Sequence, residues 1–194
     1  MIPTQLSNQD RQILLKLARQ FIQLAVEKKR LPVLDLSSFS PDLQRNGASF
    51  VTLTEAGDLR GCIGTLEPYQ PLVQDVCEHA VAAALQDYRF PPLQPFEVPL
   101  IKIEISRLTL PQPIEYTNPM DLPGLLRPGV DGVILKDGIH KATFLPQVWE
   151  QLPDPHDFLS HLCQKMGVSP GLWQRKVLSV SIYEVEEFHE NEAN

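Results

Sequence analysis

The densest chemistry in the chain lies in six residues, Leu59-Arg60-Gly61-Cys62-Ile63-Gly64, where a guanidinium, a thiol and two glycines share one short segment. Glycine inside a strand weakens it and marks a bulge or a place of close approach. A thiol between glycines and beside a cation would be accessible and easily ionised, and the thiolate is the nucleophilic form of sulfur. Cys62 is therefore the candidate catalytic residue, with Arg60 positioned to hold an anionic group. The bland alternative is that Cys62 is a small buried apolar side chain, the usual fate of a free cysteine. Cys77 and Cys163 read as core packing on the same argument.

A nucleophilic cysteine needs a base. His79, His140, His156 and His161 are candidates, and the sequence does not choose among them. No metal is expected: C-x-x-C, H-x-x-x-H and H-E-x-x-H spacings are all missing. His156 and His161, five apart, turn to different faces of a helix. No phosphate loop or dinucleotide fingerprint is present, so no cofactor is expected. Three further polar clusters stand out. Asp87-Tyr88-Arg89-Phe90 closes an alanine-rich helix, Lys102, Glu104 and Ser106 line one face of a strand, and Thr143 to Val148 takes a strand through Gln147 into a helix.

The elements that would position these residues follow from periodicity. A helix is expected over residues 7–30, with Ser7 as its cap, Leu14, Leu17, Ala18, Phe21 and Ile22 on one face, and Lys28-Lys29-Arg30 at its end. Residues 31–47 read as irregular. A strand over 49–54, a turn at Gly57-Asp58 and a return over 59–64 make a hairpin. Pro71 opens a second helix, and 100–108 alternates strictly as a strand. A proline-stiffened loop over 109–128 leads to a second hairpin around Lys136-Asp137-Gly138. Short helices near 146–149 and 157–166 precede one last strand over 176–186. This mixture without regular βαβ alternation predicts an α+β fold with a largely antiparallel sheet flanked by helices.

Length and composition bound the rest. The 194 residues, 43% hydrophobic and 21% charged, suit one globular unit or one domain with two lobes. The expected boundaries are a lead-in over 1–9, the domain over 10–188 and a polar tail over 189–194. Seventeen Lys and Arg against 24 Asp and Glu give a net charge of −7, which argues against nucleic acid as a partner. Three cysteines without regular spacing make no disulfide framework, and no apolar run is long enough to span a membrane. A cytoplasmic protein with no membrane partner is the expectation.

The hexapeptide at 59–64 resembles the signature of the AMMECR family, whose bacterial and archaeal members are called AmmeMemoRadiSam system protein A. The resemblance extends in order through Phe50-Val51-Thr52-Leu53, Asp87 to Leu93, Glu104 to Leu108, Gly129 to Val133, Phe144 to Val148 and Phe158 to Gly167. Tyr88 departs from it, standing where a smaller residue or proline is expected. The resemblance implies a two-lobed α+β fold whose hexapeptide strand borders a cleft. It implies Memo-type and radical SAM proteins as partners, but no reaction.

Two readings follow. In one, the chain is a partner or substrate-binding module, with Arg60, Gly61, Ile63, Gly64, Arg89, Glu104, Ser106 and Gln147 as binding residues and a small anionic ligand in the cleft. In the other, it is a thiol-dependent enzyme with Cys62 as nucleophile and Glu104 and a histidine as acid–base groups.

Overall fold

The computed structural model describes residues 5–190 and divides into two compact units, one running to Leu108 and resuming at Glu186, the other spanning Thr109–Val185. The helices are α1 (Asn8–Val26), α2 (Pro41–Gln44), α3 (Leu72–Leu85), α4 (Leu122–Leu125), α5 (Pro155–Lys165) and α6 (Leu172–Arg175). The strands are β1 (Asn46–Glu55), β2 (Asp58–Gly64), β3 (Gln70–Pro71), β4 (Ile101–Leu108), β5 (Gln112–Pro113), β6 (Gly132–Asp137), β7 (His140–Phe144), β8 (Ser179–Tyr183) and β9 (Val185–His189). The fold is α+β, with strands in the order β2-β1-β4-β9 in one sheet and β5-β8-β6-β7 in the other. The pairings β1–β2, β1–β4, β6–β7 and β6–β8 are antiparallel.

In the first unit the Ser7 hydroxyl accepts the Asp10 N–H at 3.0 Å and starts α1. The helix then buries Leu14, Leu15, Ala18, Phe21, Ile22 and Val26. It ends four residues earlier than expected. Lys28 has φ 55°, so the Lys28-Lys29-Arg30 run lies beyond the helix and does not sit at its C-terminal turn. The hairpin joining β1 and β2 turns at Ala56 (φ 52°) and Gly57 (φ 93°), one residue ahead of the expected Gly57-Asp58. Left-handed backbone at both positions matches the twist of the flanking strands. Ile101, Ile103 and Ile105 of β4 meet Val51 and Leu53 of β1 in the core beneath α1 and α3. That alternation leaves Lys102, Glu104 and Ser106 on the opposite face.

The second unit closes around Trp149, Phe158 and Trp173, with the Trp149 and Phe158 rings stacked at 3.7 Å between centroids. Its hairpin turns at Gly138-Ile139, again one residue away from the Asp-Gly pair that signals it. Asp154 caps α5 through the N–H groups of His156 and Asp157, and Gly167 (φ 82°) ends the following turn.

The last expected strand, 176–186, is two strands in two different sheets. Hydrophobic alternation runs on through the break and hides it. The break is set by tertiary bonds: Thr109 N–H donates to the Glu184 carbonyl at 2.9 Å, and Glu184 N–H donates to the Thr109 hydroxyl at 2.8 Å. The residues expected to begin a polar tail are bonded into the first unit. His189 ends β9, and Glu190 donates its N–H to the Ile103 carbonyl at 3.0 Å and pairs with Arg19. Residues 191–194 of that tail and 1–4 of the lead-in lie outside the described residues. No helix among the described residues is long and apolar enough to cross a membrane.

Candidate functional site

Strand β2 is the edge of its sheet, so alternate backbone groups along it lack a strand partner. Cys62 faces Thr52 of β1, and Thr65 N–H three residues on bonds to the Ser49 carbonyl. The phase of that ladder makes Cys62–Thr52 a pair without mutual backbone hydrogen bonds, the kind in which side chains approach most closely. The Thr52 hydroxyl accordingly donates to Cys62 Sγ at 3.2 Å.

The outward backbone groups of Cys62 are taken by the turn after α3. Cys62 N–H donates to Asp87 Oδ2 at 2.9 Å, and Arg89 Nη2 donates to the Cys62 carbonyl at 3.2 Å. Arg89 also binds both Asp87 oxygens, through Nε at 2.9 Å and Nη2 at 2.7 Å. Asp87 is buried and Arg89 is 44% exposed on its side chain. The Arg89 guanidinium, helped by the Cys62 and Arg89 N–H groups, holds the Asp87 carboxyl well below the usual carboxylate range despite burial. The pair forms a clamp on both backbone groups of one residue. Among all positions on this edge it selects the one bearing the thiol.

Register places the expected site residues in rows across the sheet. Cys62, Thr52 and Glu104 form one row; Gly64, Phe50 and Ser106 form the next. Both rows lie on the face away from α1 and α3. Burial pushes the Glu104 carboxyl up, and Glu187 on β9 adds repulsion that His189 partly offsets. A carboxylic acid that holds its proton to higher pH therefore shares a row with the thiol.

The two glycines act on the fold. A Cβ on Gly61 would stand 2.2 Å from the Ala83 carbonyl oxygen, so α3 sits directly on β2 there; one on Gly64 would stand 2.3 Å from the Ser49 carbonyl oxygen. Ile63 packs against the core beneath the sheet. Arg60 makes a bidentate pair with Glu97, Nε to Oε1 at 2.9 Å and Nη2 to Oε2 at 3.2 Å, with both side chains nearly buried. The anion-holding role expected for Arg60 thus meets a carboxylate already in place. Of the two arginines, Arg89 is the exposed one. Gln147 belongs to the second unit, exposed in a short 3-10 turn.

Two residues of this site, Thr52 and Glu97, carry no chemical signal of their own in the sequence. Thr52 reads as one more β-branched strand residue, and Glu97 is lost among Pro91, Pro92, Pro95 and Pro99. The clamp joins residues 25 and 27 positions apart, a relation only the fold supplies. No histidine of the first unit before β9 serves Cys62: His79 lies on α3, beneath the other face, against Asp75 at 3.2 Å. Among the described residues no group of three His, Cys, Asp or Glu could hold a metal.

The AMMECR1 family model matches residues 15–188, nearly the whole described chain. The chain belongs to the AMMECR1 family. A protein from Methanothermobacter thermautotrophicus is 39% identical over 189 residues, covering 96% of this chain and 97% of its own. One from Methanosarcina mazei is 39% identical over 180 residues, covering 91% and 89%. The crystal structure of an uncharacterised protein from Pyrococcus horikoshii superposes with a TM-score of 0.77 at 32% identity, over 95% of this chain and 93% of that one. This AMMECR1 protein thus shares its fold and most of its length with archaeal relatives, none of which brings an activity by name.

Proposed function

We propose that the sheet face bearing Cys62, Thr52 and Glu104 is a binding face, and that the chain is a substrate- or partner-binding module. The proteins it would work with are the Memo-type and radical SAM proteins that its family resemblance implies. The observation that carries this reading is the Asp87–Arg89 clamp. A buried carboxylate and a guanidinium fix the backbone of one half-exposed residue on a strand edge. Holding a contact residue in one geometry before the ligand arrives lowers the entropic cost of binding. Tyr88, between the two clamp residues, is 95% exposed, an aromatic available to a partner at no cost to the fold. Arg89 supplies the cation for an acidic group on that ligand.

The alternative, a thiol-dependent enzyme, is favoured by one observation: Glu104, with its raised pKa, shares a row with Cys62. Against it, the group bonded to Sγ is a hydroxyl donor and not a base.

The test uses purified Memo-type and radical SAM proteins from the same genome, each mixed with the full chain and examined by size-exclusion chromatography and calorimetry. The module reading expects a complex with at least one of them. Tyr88→Ala should weaken that complex by about tenfold, as loss of an aromatic anchor does, and Cys62→Ala, which keeps the clamped backbone, should largely keep it. No complex with either protein overturns the reading. A complex unaffected by Tyr88→Ala and Glu104→Gln moves the interface off this face.

A further inference from the structure

On the other side of the same sheet, the first unit holds a cavity of about 610 Å³ between α3, the end of α1 and the segment over 31–34. That volume lies within the range of small-molecule sites. Its walls include Phe21, Leu34, Ile63 and Val81, and His79 and Glu78 also line it. No Lys or Arg is among its lining residues. The basic run just ahead of Leu31 stays outside the cavity, and Lys29 within that run is paired with Glu27 at 2.6 Å.

Behind His79 stands a buried polar chain that joins α3 to β1. Ser49 Oγ donates to Asp75 Oδ2 at 2.6 Å, and His79 Nδ1 lies 3.2 Å from the same oxygen. Asp75 is fully buried, and its Oδ1 has no hydrogen-bond partner among the described residues. A buried carboxylate with an unpaired oxygen is costly. A carboxylate oxygen only accepts, so the contact with Asp75 assigns the proton to Nδ1 of a neutral ring and leaves Nε2 as the acceptor for the cavity His79 lines.

We propose that this cavity binds a small amine with an apolar body. The apolar walls take the body. The ammonium donates to His79 Nε2, and its charge is favoured by Glu78 at the wall and Asp75 behind the ring. The same charges and the missing Lys and Arg exclude carboxylates and phosphates. This site is separate from the Cys62 face and does not rest on it.

The experiment is an amide chemical-shift titration of the full chain with three matched probes: 2-phenylethylamine, 2-phenylethanol and 3-phenylpropanoate. The amine is expected to give saturable shifts over 31–34 and 77–82, with the carboxylate at least about tenfold weaker. Val81→Trp, which fills the cavity from a half-buried position, should abolish those shifts, and His79→Phe should weaken the amine by about tenfold through loss of its acceptor. Cys62→Ala should change nothing, which separates this site from the proposed binding face. Equal affinity for all three probes, shifts that survive Val81→Trp, or no saturable shift with any probe each overturns the proposal.

Discussion

Gly61 and Ala83 stand so close that no side chain fits between them: a Cβ on Gly61 would lie 2.2 Å from the Ala83 carbonyl oxygen and 3.2 Å from its carbonyl carbon. Both neighbours are backbone, so relief requires α3 to lift off β2. Gly61→Ala should therefore destabilise the chain by about 1–3 kcal/mol, the range of overpacked core positions. Gly124→Ala is the control, because nothing lies within 4 Å of a Cβ there. It should be neutral or slightly stabilising. Urea midpoints of the two variants check the contrast.

Arg60 and Glu97 make the second test. Their bidentate pair is nearly buried, and Arg60 foremost, with the Gln94 N–H assisting, draws the Glu97 pKa down. Arg60→Ala leaves a desolvated carboxylate with the Gln94 N–H but no cation, and should cost about 2–4 kcal/mol. Arg60→Ala combined with Glu97→Gln should recover a substantial part of that loss, which a double-mutant cycle measures. An Arg60 whose main task were to hold a ligand anion would show the reverse: little change in stability, and no rescue by Glu97→Gln.

The hexapeptide announced where to look, while its chemistry was legible only in part. Glycine spacing pointed correctly to a close approach at Gly61, because a missing side chain is visible in a sequence. Strict alternation put Glu104 and Ser106 on one face, and register then carried that face to Cys62. What stayed hidden is what depends on distant partners. Arg60 looked free because Glu97, 37 residues on, has no signature. Asp87 and Arg89 are visible in the sequence as the close of a helix, but their reach to the Cys62 backbone is not, because it is set by how α3 sits on β2. The strand break at Glu184 was invisible because the apolar alternation continues across it, and only sheet membership changes.

Acid should weaken the clamp in a defined direction. Asp87 titrates below its unfolded value, which is near 3.9 for a free aspartate. A depressed folded pKa contributes stability that is fully present above the unfolded pKa and is lost as pH falls through and below it. Asp87→Asn should therefore be less stable than the parent at neutral pH, and the gap should close toward about pH 3 and below. Urea unfolding of both proteins across that range reads the effect. A gap that stays constant with pH would mean that the amide's shape, and not the lost charge, sets the difference.

The three thiols should separate cleanly under alkylation. Cys62 is half-buried, whereas burial pushes the Cys77 thiol up to about 12 and raises Cys163 as well. Iodoacetamide should thus label Cys62 in the folded chain and reach Cys77 and Cys163 only after denaturation, as peptide mass spectrometry resolves. Labelling of Cys77 or Cys163 in the folded chain as fast as Cys62 would mean that the two helices open to solvent far more often than residues this deeply buried should, and that their packing does not protect them.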